Sequence, residues 1–225
     1  MSKPTLYYSP LSPPSRFVYI TAKHLGVDID TKMISLAQGD HMTPEYKAIN
    51  PTSTVPALVD NDTKIFDSNA IAIYLVEKFA KDDSLYPKDL KLRTKVHERL
   101  FYIASYLFPR GYQIFFRVFF GPETEIAEYK IKEMLRGYAT IEVFLTENEY
   151  LAGSTMTLCD LDLWCMMESG GQLIPIDEEK FPNFTRWLNK MRKLEYYAFN
   201  KEGADKHVAF WRQCLQRNIE NLNKQ

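Results

Sequence analysis

Tyr7-Tyr8-Ser9-Pro10-Leu11-Ser12-Pro13-Pro14-Ser15-Arg16 is the stretch around which the chain is organised: a short apolar strand breaks into a proline-rich turn and opens a helix. Proline is tolerated in a first helical turn, where amide hydrogens have no intrahelical partner, so Pro13-Pro14 ahead of Phe17, Val18, Ile20 and Thr21 marks a helix start. Ser12 is then the N-cap. Such a hydroxyl accepts a hydrogen bond from the helix it opens, and its own proton can still reach an anion at the positive end of the helix dipole. A thiolate fits that place. A serine that only caps would have the same sequence, so the decapeptide alone specifies structure and leaves the chemistry open.

Outward from this turn the first 80 or so residues alternate strand and helix signals. Thr5 to Tyr8 reads as a strand, Pro14 to Leu25 as a helix, and Ile29 to Ser35 as a strand after the Gly26 stop. Thr43-Pro44-Glu45 starts a short helix. Ala57-Leu58-Val59-Asp60 and Lys64-Ile65-Phe66 flank an Asn61-Asp62-Thr63 turn as a hairpin, and a last helix runs from Ser68 to Ala80. The order βαβαββα predicts a thioredoxin-like α/β domain over 1–81. Residues 82–88, polar and carrying Pro87, predict a linker. Residues 89–225 carry no strand signal and predict an all-α helical bundle, with helices over 90–120, 124–147, 157–173, 183–194 and 204–219. Thr157-Leu158-Cys159-Asp160 is a capping-box pattern with a structural role.

The chain's 225 residues, 45% hydrophobic and 25% charged, suffice for one large domain or two ordinary ones with their own cores. Lys and Arg number 28 against 29 Asp and Glu, a net charge of -1 that gives no general attraction for nucleic acid or an anionic membrane. No apolar run approaches the roughly 18 residues of a membrane helix, and Met1-Ser2-Lys3-Pro4 leads into the first strand without a signal-peptide core, which predicts a cytoplasmic protein. Three cysteines without CxxC spacing argue against disulfides and a dithiol redox centre, so Cys159, Cys165 and Cys214 read as buried packing residues.

Two further stretches carry chemistry. In Asn50-Pro51-Thr52-Ser53-Thr54-Val55-Pro56-Ala57 a proline immediately precedes a strand. A cis bond there leaves the backbone groups of Val55 free to pair with an extended peptide. In Phe66-Asp67-Ser68-Asn69-Ala70 the amides and the Ser68 hydroxyl at a helix N-terminus can hold a carboxylate, and Asp67 an ammonium. Taken with Ser12, these describe a peptide that has a free α-amino acid end, an extended backbone and a thiol.

In these motifs the sequence resembles the cytosolic glutathione transferases, above all the insect epsilon (delta/epsilon) class. Asp40-His41-Met42-Thr43-Pro44-Glu45-Tyr46, Asp83-Ser84-Leu85-Tyr86-Pro87-Lys88 and the Tyr150-Leu151-Ala152-Gly153 to Asp160 segment extend the resemblance over nearly the whole chain. It implies glutathione as co-substrate, no metal, a homodimer, and conjugation to small hydrophobic electrophiles, with peroxidase or dehydrohalogenase-type activity also within the family's range. The alternative it leaves is a transferase-fold carrier of hydrophobic ligands. A thioredoxin-type oxidoreductase would need a cysteine where Ser12 stands.

By position, the resemblance implies Ser12 as the catalytic hydroxyl, with Tyr7 and Ser9 as rivals. It implies His41 at the glycine carboxylate, Ser53, Thr54, Val55 and Pro56 along the cysteine backbone, Asp67 and Ser68 at the γ-glutamyl end, and Arg110 as the nearest match to a helix arginine. The electrophile would meet Leu11, Pro13 and Leu36, then Tyr112, Phe115, Phe116, Phe119 and Phe120 on one helix, with Phe210 closing over them; aromatics so dense go all round a helix, so some must face a cleft, a partner or solvent. Two departures stand out. Thr52-Ser53 replaces the family's usual Gln-His, and Asp67 stands where Glu is common. Loss of one partner to a charged group predicts glutathione binding weaker by roughly ten- to a hundredfold.

Overall fold

The computed structural model describes residues 3–224; Met1, Ser2 and Gln225, at the outer ends of the two expected domains, lie outside them. The first domain contains β1 (Thr5–Tyr8), α1 (Pro13–His24), β2 (Asp30–Met33), the short α2 (Pro44–Lys47), β3 (Ala57–Asp60), β4 (Thr63–Phe66) and α3 (Ser68–Phe79), in the expected βαβαββα order. A single-turn 3₁₀ segment, Asp40–Met42, precedes α2. The four strands form one mixed sheet in the order β2-β1-β3-β4, with β1 parallel to β2 and antiparallel to β3. Because side chains alternate along a strand, Leu6 of β1 is fully buried with Phe17 of α1 and Ile71 of α3, whereas Tyr7 turns to the other face and meets Tyr46 of α2 edge-on at 6.1 Å.

The rest is helical: α4 (Leu90–Tyr102), α5 (Phe108–Phe119), α6 (Glu128–Phe144), α7 (Leu158–Gly170), α8 (Pro182–Met191) and α9 (Tyr197–Leu222). Two departures from the sequence reading have physical causes. The single helix expected over 90–120 is interrupted at Ile103–Leu107, where the ladder widens to a π-turn just before Pro109, a residue that cannot donate to the ladder. The last helix begins at Tyr197, ahead of the expected Ala204, and runs through Gly203. Packing keeps Gly203 there: a Cβ on it would lie 2.4 Å from the Pro10 carbonyl oxygen and 2.6 Å from Arg16 Cδ. No helix among the described residues is long and apolar enough to cross a membrane.

One contiguous buried cluster runs from Leu6, Phe17 and Ile71 through Leu85 and Tyr86 of the expected linker to Trp164 and Trp187 of the bundle. The linker is pinned rather than loose, since the Leu85 carbonyl accepts from the Leu158 N–H at 3.0 Å. The capping box forms as read: fully buried Asp160 accepts from the Thr157 N–H at 2.9 Å, and also from Leu151 N–H and Trp187 Nε1–H at 2.9 Å each. Burial pushes this carboxyl up and the converging donors oppose that rise. All three cysteines are free and buried.

Candidate active site

Ser12 is the N-cap of α1, with extended backbone (φ -79°, ψ 119°), and its Oγ accepts from the Ser15 N–H at 3.4 Å. A hydroxyl has one proton and two lone pairs, so a cap that uses a lone pair leaves the proton free to donate. The rivals are placed differently. Ser9 is buried, its own N–H donating to Ser15 Oγ at 3.3 Å. Tyr7 Oη accepts from Lys32 Nζ at 3.3 Å on the face of the sheet that α2 covers.

The turn that presents Ser12 is held from beneath by Arg16. This side chain is fully buried, and all three of its nitrogens are engaged: Nε donates to Asn200 Oδ1 at 2.8 Å, one terminal nitrogen to the carbonyls of Pro10 (3.1 Å) and Leu11 (3.0 Å), the other to the Cys165 carbonyl (2.8 Å) and Ser169 Oγ (2.9 Å). The guanidinium thus joins the turn to α7 and α9. Burial pulls its pKa down to about 10, which leaves it charged at neutral pH.

The other predicted groups stand on the same domain. His41 is half-buried in the 3₁₀ segment, with Nδ1 buried and lacking a hydrogen-bond partner. The Val55–Pro56 peptide is cis. The loop ahead of it is stitched internally: the Thr54 carbonyl accepts from Tyr46 Oη at 2.5 Å and Asn50 Nδ2 at 2.7 Å, and Ser53 takes a left-handed φ of 54°. Asp67 also has a positive φ, 74°, and a single carboxylate oxygen, Oδ1, accepts from the amides of Asn69 (2.9 Å) and Ala70 (3.1 Å) at the start of α3. Oδ2 is thereby available to a cation. Asp162 on α7 lies near enough to feel it: burial first, and the Asp67 charge second, push the Asp162 carboxyl up to about 7. Two carboxyls near one another favour an ammonium.

The aromatics of α5 divide into two rows. Phe108, Tyr112, Phe116 and Phe120 stack at successive turns, with centroids 6.1, 4.9 and 4.9 Å apart, and Phe120 is 76% exposed. Phe115 and Phe119 turn toward α9, where Phe119 lies 5.2 Å from Phe210 and Phe115 stacks on His207 at 4.2 Å. Leu11 and Pro13 flank Ser12 half-buried, and Leu36 is exposed after β2. Arg110 is committed elsewhere, with Nε on Glu133 of α6 at 3.2 Å and a terminal nitrogen on the Tyr106 carbonyl at 2.9 Å.

Comparison with known proteins matches residues 6–83 to the family described as glutathione S-transferase, N-terminal domain, and residues 109–195 to glutathione S-transferase, C-terminal domain. Glutathione S-transferase D7 of Drosophila melanogaster is 35% identical over 194 residues, 84% of each chain. The chain belongs to the glutathione S-transferase family. An epsilon-class glutathione S-transferase from the housefly, Musca domestica, superposes with a TM-score of 0.91 at 36% identity, covering 94% of this chain and 98% of that one. A glutathione transferase homologue from Drosophila mojavensis, solved with bound glutathione, superposes at 0.89 with 34% identity over 97% and 98%.

For this transferase, sequence reasoning found the Ser12 turn, the cis proline and the Asp67 cap, and missed what supports them. Asn200 and Gly203 lie nearly the whole chain away from Arg16, and nothing local links them. Nothing local marks Asp162 or His207, and only the packing of α7 and α9 sets the one near Asp67 and the other against Phe115.

Proposed function

We propose that this transferase conjugates glutathione to small hydrophobic electrophiles in the cytoplasm, with Ser12 donating its proton to the sulfur. The observation that carries the reading is the Ser12 cap, whose oxygen is occupied by the Ser15 amide while its hydroxyl hydrogen stays uncommitted. The thiol of free cysteine has a pKa of about 8.5, and a donor plus the helix dipole favours the thiolate, so no general base is required. Asp67, with Asp162 behind it, takes the γ-glutamyl ammonium; Ser68 and the α3 amides take the adjacent carboxylate; Val55 pairs with the cysteine backbone; and the unpartnered imidazole of His41 takes the glycine carboxylate. Arg110 joins them only by leaving Glu133. The electrophile lies against Leu11, Pro13 and the α5 and α9 aromatics; peroxide reduction and dehydrohalogenation are further reactions of the same thiolate. Calorimetry should show glutathione binding and spectrophotometry turnover of 1-chloro-2,4-dinitrobenzene. Binding of hydrophobic ligands with neither result would make the protein a carrier instead.

Ser53→His should lower the KM for glutathione severalfold, on the order of 1 kcal/mol, with kcat little changed, because a contact remote from sulfur is equal in ground and transition states. The left-handed backbone at 53 admits histidine, one of the residues enriched there. His41→Ala should raise the same KM. An unchanged KM in both variants would remove these positions from the glutathione site.

We also propose a homodimer in which the domains of opposite copies meet. Leu90 and Phe101 of α4, 77% and 67% exposed, support it as apolar surface in need of cover. Sedimentation at micromolar concentration should give twice the mass of one chain, and a single-chain mass would dispose of the dimer.

A further inference from the structure

Asp162 is a carboxyl without a counter-charge. It lies in α7 with 9% of its surface exposed, and among the described residues no hydrogen bond or ion pair reaches its oxygens. The cations around α7 are turned to other groups: Arg16 of α1 to the Cys165 carbonyl and Ser169, Arg99 of α4 to the Leu151 carbonyl and Glu98, and Arg192, just after α8, to Glu168. From α9, Asp205 meets Gln172 and Lys201, and His207 stacks on Phe115. On α7 itself the nearest titratable groups, Cys159 and Cys165, are thiols that burial pushes up and so keeps neutral at physiological pH. The one charge that reaches Asp162 strongly is another anion. Burial first, then Asp67 at the start of α3, push the Asp162 carboxyl up to about 7, so near neutral pH the proton is held in about half of the molecules. Acceptors around the start of α3 also go without donors: Asp67 Oδ2 is uncommitted, and Asn69 Oδ1 is buried with no hydrogen-bond partner. An ammonium, with a positive charge and three N–H donors, answers that arrangement.

We propose that Asp162 is a second, proton-linked anion of the γ-glutamyl site, so that glutathione binds with release of the Asp162 proton to solvent. This deepens the transferase reading above and rests on it. Asp67 meets the ammonium directly, and Asp162 acts on it through charge, as a positioning residue. An ammonium seated at Asp67 brings its positive charge into the range over which Asp162 already feels Asp67, in buried surroundings where charges are poorly screened. The ionised carboxyl gains by this, the Asp162 O–H bond breaks, and the proton passes to water; the ammonium keeps its own protons and the new carboxylate stays as its counter-charge. Glutathione is therefore held more tightly where Asp162 is ionised, and affinity falls as pH drops through about 7 until the carboxyl of the bound form is protonated as well. In the free protein the sign is opposite. A carboxyl raised from its ordinary value of about 3.9 binds more protons folded than unfolded, so the free protein loses stability as pH rises from there to about 7. Asp162 thus costs the empty protein stability that the ligand's ammonium restores.

S-methylglutathione is the probe, because it keeps the γ-glutamyl end and has no thiol proton to release. Calorimetry at pH 7 in buffers of different ionisation enthalpy counts the protons: the wild type should release about half a proton per ligand more than Asp162→Asn. Wild-type affinity, taken relative to that of Asp162→Asn, should fall about fivefold between pH 8 and pH 6. Any proton exchanged at His41 is common to both proteins and cancels in the comparison. Asp162→Ala, the second neutral variant, should give the same proton count as Asp162→Asn, so the result does not depend on how well one replacement packs. Equal proton counts in the wild type and the variants, with S-methylglutathione bound by all of them, would make Asp162 a packing residue and overturn the proposal while leaving the glutathione site intact. A wild type that binds no S-methylglutathione at any pH would sink both.

Discussion

Arg16→Met lowers folding stability by about 4 kcal/mol or more, the largest effect expected of any substitution outside the large apolar core. Methionine is similar in reach and apolar, and exchanging a buried ion pair for apolar residues is often harmless when both partners go. Here the partners cannot go. Three of the five acceptors of Arg16 are backbone carbonyls, those of Pro10, Leu11 and Cys165, and the other two are Asn200 Oδ1 and Ser169 Oγ. Each acceptor left buried and unpaired costs about 1–3 kcal/mol, and several together rival the 5–15 kcal/mol that separates a typical folded domain from its unfolded chain. Lysine would help little, because a point ammonium cannot span acceptors on the Ser12 turn, α7 and α9 in the way a planar fork does. Urea unfolding monitored by tryptophan fluorescence checks the value. A loss below about 1 kcal/mol would mean that water enters and satisfies these carbonyls, and that Arg16 is not the clamp described.

The clamp also shows what was legible in the sequence and what was not. Local rules carried the element starts: the Pro13-Pro14 helix start and the Ser12 and Asp67 caps of the first domain, and the capping box at Thr157 in the helical part, depend on neighbours a few residues away, and each forms. Where tertiary contact overrode local preference the reading failed. The last helix was expected from Ala204, yet Gly203 lies inside α9 although glycine in a helix interior costs about 1 kcal/mol, because only a residue without Cβ lets that helix touch the Pro10 carbonyl. The aromatic run on α5 was visible, but its division into an exposed row and a row facing α9 depends on where α9 lies. Arg110 carried no local signal for Glu133, since the α6 partner is 23 positions away.

Ser12→Ala lowers conjugation at neutral pH by about ten- to a hundredfold and leaves glutathione affinity nearly unchanged. A hydrogen bond to a charged group contributes about 1.5–3 kcal/mol, which corresponds to a thiol pKa about one to two units higher once the donor is removed. The sign follows from the charge state: the hydroxyl stabilises the thiolate and not the thiol, so its loss favours the protonated form. The rising limb of the pH–rate profile should therefore move to higher pH, with much of the activity recovered in alkaline solution, where the thiolate forms unaided. Affinity moves little because the γ-glutamyl and glycine ends, far from sulfur, supply most of the binding. Alanine also forfeits the cap to the Ser15 amide, about 1 kcal/mol of stability, so unfolding must be measured beside rate. Tyr7→Phe is the control, since Tyr7 Oη is engaged by Lys32 on the α2 face and its loss should leave turnover intact. If Ser12→Ala keeps full activity while Tyr7→Phe loses it, the thiolate contact belongs to β1 and the helix cap is structural alone.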